Sequence, residues 1–199
     1  DDLGNIAILC RTDDKGGPIV NLLTSLKPGA ACWMKAMGGL SLIRQPSQGI
    51  WQYLGRDVTK LGLLAGGTGL APMLQITRAY INAINSEEEL PQGAGIKLVY
   101  AAENSGDLSF VGAFEKIRQR FPTLVSYYFV LNDPPAGWTQ GIGFVDADCI
   151  RSRLWFPPSD DILTVMCGPP IFEKIMCGNL SRMGYPDHQF YAFSNDPIG

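Results

Sequence analysis

Histidine is almost missing from this 199-residue chain, with His188 as its only instance. One imidazole cannot build a multi-histidine metal centre, and no metal site is expected. The five cysteines, Cys10, Cys32, Cys149, Cys167 and Cys177, are odd in number and never spaced C-x-x-C. They read as reduced thiols of an intracellular protein, with no disulfide framework and no zinc site. Neither G-x-S-x-G nor the P-loop pattern G-x-x-x-x-G-K-[ST] occurs, which argues against hydrolase and P-loop chemistry. No Lys/Arg run exists, and 16 Lys+Arg against 19 Asp+Glu give a net charge of -3, so no nucleic-acid partner is expected. The longest uncharged apolar stretch, residues 61–77, is broken by four glycines and a proline. It falls short of the roughly 20 mostly apolar residues that span a bilayer. Any membrane anchor is expected upstream. The chain starts at Asp1 rather than Met, and further residues are expected before it.

What is present suits a globular protein: 46% hydrophobic and 18% charged residues. The length allows one full domain, or one plus part of another. Two are expected, at residues 1–57 and 58–199. In the first, residues 5–12 and 30–37 read as strands and 19–26 as a helix, while 38–55 is loop-rich without a sustained period. In the second, short apolar runs at 61–65, 96–102, 124–131, 162–167 and 189–193 alternate with helical patterns at 72–84, 110–121, 146–154 and 170–183. Alternating strands and helices with wholly apolar strands imply an α/β fold, a doubly wound five-stranded parallel sheet.

The first of these strands runs into Gly66-Gly67-Thr68-Gly69-Leu70-Ala71-Pro72-Met73. Open α/β sheets bind nucleotides at such a strand-to-helix turn, where glycines let the backbone approach a pyrophosphate and free N–H groups favour anions. The pattern is not G-x-G-x-x-G, because Pro72 stands where the third glycine belongs. Cys167-Gly168-Pro169-Pro170 closes the fourth strand and opens a helix at the same sheet edge. Two turns converging on one crevice are more specific than either alone. Trp33, Trp51, Trp138 and Trp155 read as packing residues.

These two motifs, with Leu131-Asn132-Asp133-Pro134-Pro135, Trp138, Gly143-Phe144-Val145 and Phe190-Tyr191-Ala192-Phe193, resemble the ferredoxin–NADP reductase superfamily, and within it the NADH–cytochrome b5 reductases. The resemblance is strong over about residues 60–193 and weak over 1–57. It implies an antiparallel β-barrel flavin domain, here partial, ahead of an NADH domain. It implies FAD and NADH as cofactors and electron transfer to a haem protein such as cytochrome b5. The reductase module of a larger enzyme, of nitrate reductase or oxygenase type, stays open as an alternative. So does a non-catalytic nucleotide-binding protein. An intracellular, cytoplasmic location is implied, with tethering to the endoplasmic reticulum or mitochondrial outer membrane through a segment not present here.

Residue by residue, the resemblance places Gly66, Gly67, Thr68, Gly69, Pro72 and Met73 at the junction of NADH and flavin. Cys167 is placed beside the nicotinamide as the catalytic residue, with Gly168, Pro169 and Pro170 around it. Glu103 and Asp107 go near the adenine-ribose end. Asn132 and Asp133 go where the family selects NADH over NADPH, although Asn-Asp-Pro-Pro is also strong turn chemistry. Phe193 goes to the flavin. The family's flavin-pyrophosphate segment Gly-Gly-Lys-Met-Ser corresponds to Gly16-Gly17-Pro18-Ile19-Val20, in which Pro18 lacks an N–H and Val20 a hydroxyl. The family's Arg-x-Tyr-[Thr/Ser] flavin motif is absent. For a basic patch facing an acidic acceptor, Arg44, Arg56 and Lys60 are the candidates.

Overall fold

The computed structural model describes residues 18–33, 39–45, 50–84, 93–108 and 110–195. The strand expected at 5–12, the site residue Gly17 and positions 34–37 lie outside these residues. By contact the chain forms two compact units, Asp1–Gly38 and Gly39–Gly199.

In the first unit, α1 (Pro18–Ser25) begins with Pro18, where the fixed φ suits a first helical turn and no N–H is missed. No residue of α1 is buried. Ala30–Trp33, the described part of the second expected strand, forms no strand. Gly29 at φ +87° turns the chain there, and the Ala30 N–H returns to the Lys27 carbonyl at 2.9 Å. Trp33 is fully exposed and is not the packing residue expected.

The second unit opens with a three-stranded antiparallel sheet of β1 (Ile43–Gln45), β2 (Ile50–Tyr53) and β3 (Arg56–Val58). This corrects the loop-rich reading of residues 38–55. Leu54 (φ +52°) and Gly55 (φ +76°) form the two-residue link between β2 and β3, with Tyr53 opposite Arg56. Two successive positive φ values match the twist that a tight hairpin needs. Leucine in the first of them hid the hairpin from the sequence, and strands of three or four residues are too short to show alternation.

Next come β4 (Lys60–Gly66), α2 (Leu70–Ile84), β5 (Gly95–Asn104), α3 (Val111–Arg120), β6 (Val125–Asp133), β7 (Gly141–Ile142), α4 (Ala147–Arg153), β8 (Ile162–Cys167), α5 (Pro170–Arg182) and β9 (Phe190–Ala192). The strands form one sheet in the order β7-β6-β5-β4-β8-β9, with every pairing parallel. The sheet has six strands rather than five. The extra one, β7, is two residues long and sits at the edge, held by the Trp138 Nε1–H donating to the Gly141 carbonyl at 2.8 Å.

Alternation along the strands separates two cores. Leu61, Leu63 and Ala65 of β4 face one core with Met73, Leu74, Tyr80 and Ile81 of α2 and Phe114 of α3. Leu64 faces the other, with Ile150 of α4 and Met176 and Leu180 of α5. Helices therefore cover both faces, as in a doubly wound sheet. The spacing of Leu70, Met73, Leu74, Tyr80 and Ile81, all buried, places one stripe of α2 on the sheet.

Candidate functional site

The strand order reverses at β4, which has β5 on one side and β8 on the other. In open α/β sheets the crevice beyond the carboxyl ends of the strands at such a point takes the ligand. Ala65 of β4 pairs with Cys167 of β8, so both glycine turns leave the sheet side by side.

The turns touch through their backbones. A Cβ on Gly69 would lie 2.0 Å from the Cys167 carbonyl oxygen and 2.9 Å from the Gly168 nitrogen. One on Gly168 would lie 3.2 Å from the Gly66 Cα and 2.7 Å from the Phe172 ring, and one on Gly66 would be 3.2 Å from Pro169 Cδ. Gly67 differs, with φ +55° and open space around its Cβ position. Gly69 and Gly168 are thus required by close approach, Gly66 is tightly packed on side chains, and Gly67 is favoured by its backbone conformation. After the 3-10 turn Gly67–Gly69, α2 starts at Leu70. Thr68 is exposed at that rim and Pro72 half-buried. Met73 is wholly buried in the core beneath the turn.

Cys167 is half-buried against the β4 core face, which Phe193 also meets. Burial, with the nearby Glu173 charge adding to it, pushes the Cys167 thiol up to about 11. It is neutral at pH 7, a polarizable but uncharged group at the end of β8. Pro169 and Pro170 are exposed and open α5. The Gly168 N–H donates to Glu173 Oε1 at 3.0 Å. Glu173, 2% exposed, is absent from the sequence reading; a charged residue in the first turn of a helix reads as ordinary helix chemistry.

Glu103 and Asn132 stand at the carboxyl ends of β5 and β6, and Asn132 Nδ2 donates to Glu103 Oε2 at 3.0 Å. Asp133, exposed, pairs in register with Asn104. Asp107 closes the 3-10 turn after β5, its carbonyl accepting the Tyr100 hydroxyl at 2.9 Å. These residues form an acidic rim on the same sheet edge as the glycine turns, Glu103 one strand spacing (about 5 Å) and Asn132 and Asp133 two (about 10 Å) from β4. Pro18, Ile19 and Val20 begin α1 in the first unit. Of the proposed basic patch, Lys60 pairs with Asp161 at 3.0 Å. Arg56 donates to the carbonyls of Asp160, Ile162 and His188. Lys60 is thus partly neutralised, while Arg56 keeps its charge and is held in place by backbone carbonyls.

Backbone cradles at a switch point, an exposed Thr68 beside the half-buried Gly67 and an acidic edge lie together at the carboxyl ends of the strands. The fold and the crevice define a nucleotide-binding α/β domain. The chain belongs to the oxidoreductase NAD-binding domain family, which matches residues 63–178.

Among curated relatives, the NADH-cytochrome b5 reductase 1 of Dictyostelium discoideum is 38% identical over 133 residues, covering 67% of this chain and 44% of that protein. The NADH-cytochrome b5 reductase 2 of Xenopus tropicalis is 31% identical over 186 residues, covering 90% of this chain and 59% of that protein. The chain therefore spans about half the length of these relatives. The cytochrome b5 reductase domain of Ulva prolifera nitrate reductase superposes with a TM-score of 0.74 at 26% identity, covering 89% of this chain and 64% of that one. The oxidoreductase class, the ferredoxin reductase-like fold and the expected FAD and NADH agree with these findings. Among the described residues no helix is long and apolar enough to cross a membrane.

Proposed function

We propose that this chain carries the NADH side of a flavoprotein oxidoreductase that passes electrons from NADH through FAD to a haem protein such as cytochrome b5. The observation that carries the reading is the backbone contact of the two turns, with the Gly69 Cβ position 2.0 Å from the Cys167 carbonyl. It makes one rigid floor from Gly66–Gly69 and Cys167–Pro170. The chemistry supplied by the bound cofactors is hydride transfer from NADH to FAD and one-electron delivery onward.

The chain's own residues orient and select. Gly67 and Thr68 at the start of α2 receive the pyrophosphate. Cys167 presents a neutral thiol beside the nicotinamide, close enough to pack and too weakly acidic to compete as a base. Phe193 covers the flavin side. Glu103, positioned by Asn132, and Asp133 accept the ribose hydroxyls and repel a 2′-phosphate. NADH is therefore preferred over NADPH, and kcat/KM for the two coenzymes measures it. Equal values, or preference for NADPH, would leave the acidic rim as turn chemistry alone.

The test of the whole reading uses a chain extended to the length of the relatives and supplied with FAD. NADH should bleach its yellow colour and then reduce cytochrome b5, followed by haem absorbance. A reductase module of a larger enzyme is the second reading, supported by the likeness to the nitrate reductase domain. It would reduce its own linked haem faster than free cytochrome b5. A protein that binds NADH and stays colourless with FAD would be a non-catalytic nucleotide-binding protein.

A further inference from the structure

One buried ionisable group has a role beyond its effect on the Cys167 thiol. Glu173 lies in the first turn of α5 and is 2% exposed. A carboxylate at such depth is tolerated only with its oxygens satisfied, and here both are. Oε1 accepts the Gly168 N–H at 3.0 Å. Oε2 accepts the Ser194 N–H at 2.8 Å and also the Ser194 hydroxyl. The first partner belongs to the turn after β8, the second to the residue that follows Phe193. The cap position of α5 is Pro169, which offers no side-chain cap. Glu173 therefore serves that helix end and, 21 residues further along the chain, the 3-10 turn Phe193–Asn195 that follows β9.

We propose that Glu173 is a positioning residue: a two-sided latch that sets the Cys167–Gly168 turn and the 3-10 turn Phe193–Asn195 in one arrangement. Because Oε1 occupies the Gly168 N–H, that donor is committed before any ligand arrives. Gly168 packs on Gly66, its Cβ position 3.2 Å from the Gly66 Cα. A shift of the β8 turn thus reaches the β4 turn directly. Release of Ser194 frees one side of the carboxylate and loosens its grip on Gly168. The 3-10 turn Phe193–Asn195 and the dinucleotide crevice are thereby coupled through one side chain, although Ser194 belongs to neither glycine turn. The effect on dinucleotide binding rests on the NADH reading above. The latch itself does not.

The experiment is a double-mutant cycle of Glu173→Gln and Ser194→Ala in the 199-residue chain. Amide exchange at Gly168 and Ser194 is read by NMR, and NAD+ affinity by calorimetry. Glutamine keeps the volume and one acceptor oxygen, so it serves one partner and turns an NH2 toward the other. The expected result is exchange about tenfold faster at one or both amides in Glu173→Gln, with NAD+ binding weakened by about the same factor. Ser194→Ala should speed Gly168 exchange about threefold, and the double variant should be no worse than Glu173→Gln alone. Additive effects, or Gly168 exchange in Ser194→Ala equal to wild type, would overturn the latch, since a merely local structural role predicts both. Should Glu173→Gln fail to fold, Gly168 exchange in Ser194→Ala decides alone. Should wild type bind no NAD+, affinity is read instead on the extended, FAD-loaded chain; no binding there would overturn the NADH reading, and the exchange data still judge the latch.

Discussion

Gly67 and Gly69 stand two positions apart in one turn, yet alanine should affect them very differently. At Gly69 the new Cβ would sit 2.0 Å from the Cys167 carbonyl oxygen and 2.4 Å from its carbon. Backbone cannot yield as a side-chain tip does, so Gly69→Ala must part the two turns. The expected cost is about 1–3 kcal/mol in urea unfolding, with NAD+ binding lost. Gly67→Ala meets no atom within 4 Å and carries only the strain of φ +55°, about 1 kcal/mol. Similar losses in both variants would show that conformation, not approach, decides the turn. Cys167 offers a second check. With its thiol raised from the usual 9.0 to about 11, the thiolate fraction at pH 8 falls roughly a hundredfold. Iodoacetamide should label Cys167 far more slowly in the native chain than in urea, with a rate still climbing above pH 9. A plateau near pH 9 would put the thiol in solvent. The sequence shows which glycines cluster, because glycine is rare within apolar strand-helix junctions. It does not show which glycine meets which backbone, nor that Met73 turns inward, because those facts depend on strands paired across a hundred residues.

At the scale of elements, the long strands are legible and the short ones are not. β4, β5, β6 and β8 are apolar runs long enough to stand out, and their burial on both faces explains why they do not alternate. β1, β2, β3 and β7 hold two to four residues each, and their pairing is decided by neighbours rather than by pattern. The opposite edge of the sheet carries its own prediction. Asp161 ties the starts of β4 and β8: its carbonyl accepts the Thr59 and Lys60 N–H groups at 3.0 and 3.1 Å. Its carboxylate accepts from Ser159, from Thr59 and from Lys60. Partial burial alone would raise this carboxyl. The hydrogen bonds from Ser159, Thr59 and Lys60 and the Lys60 charge outweigh that and hold it at about 2, below the usual 3.8. A lowered folded-state value means stability present above the unfolded value and lost as pH falls through the folded one. The contribution should be full above about pH 5 and vanish between about pH 4 and 2. It is worth about 1 kcal/mol after solvent screening of a partly exposed group. Urea unfolding of wild type and Asp161→Asn across that window measures it. Parallel curves for the two proteins would exclude Asp161 as the source.

At the scale of the molecule, the two cofactors stand unequally. The residues proposed for NADH all lie within 60–195, on one sheet edge, at turns that brace each other. For the flavin, the resemblance points to the start of α1, where Pro18 gives no N–H and Val20 no hydroxyl, and the sequence holds no Arg-x-Tyr-[Thr/Ser]. Each missing hydrogen bond to a charged group is worth roughly 1.5–3 kcal/mol, and several together remove several orders of magnitude of affinity. The 199-residue chain should therefore bind NAD+ weakly and emerge from gel filtration with FAD at well below one equivalent, read from absorbance near 450 nm as an approximate flavin maximum. Extension to the length of the curated relatives should bring FAD to one equivalent, while NAD+ affinity changes little. Stoichiometric FAD on the shorter chain would mean that flavin is held by contacts other than the ones counted here. NAD+ affinity that rises steeply with FAD loading would show that the flavin forms part of the dinucleotide floor. The braced turns at Gly69 and Cys167 would then be only half of that floor, and the acidic rim of Glu103 and Asp133 would supply selectivity without most of the binding energy.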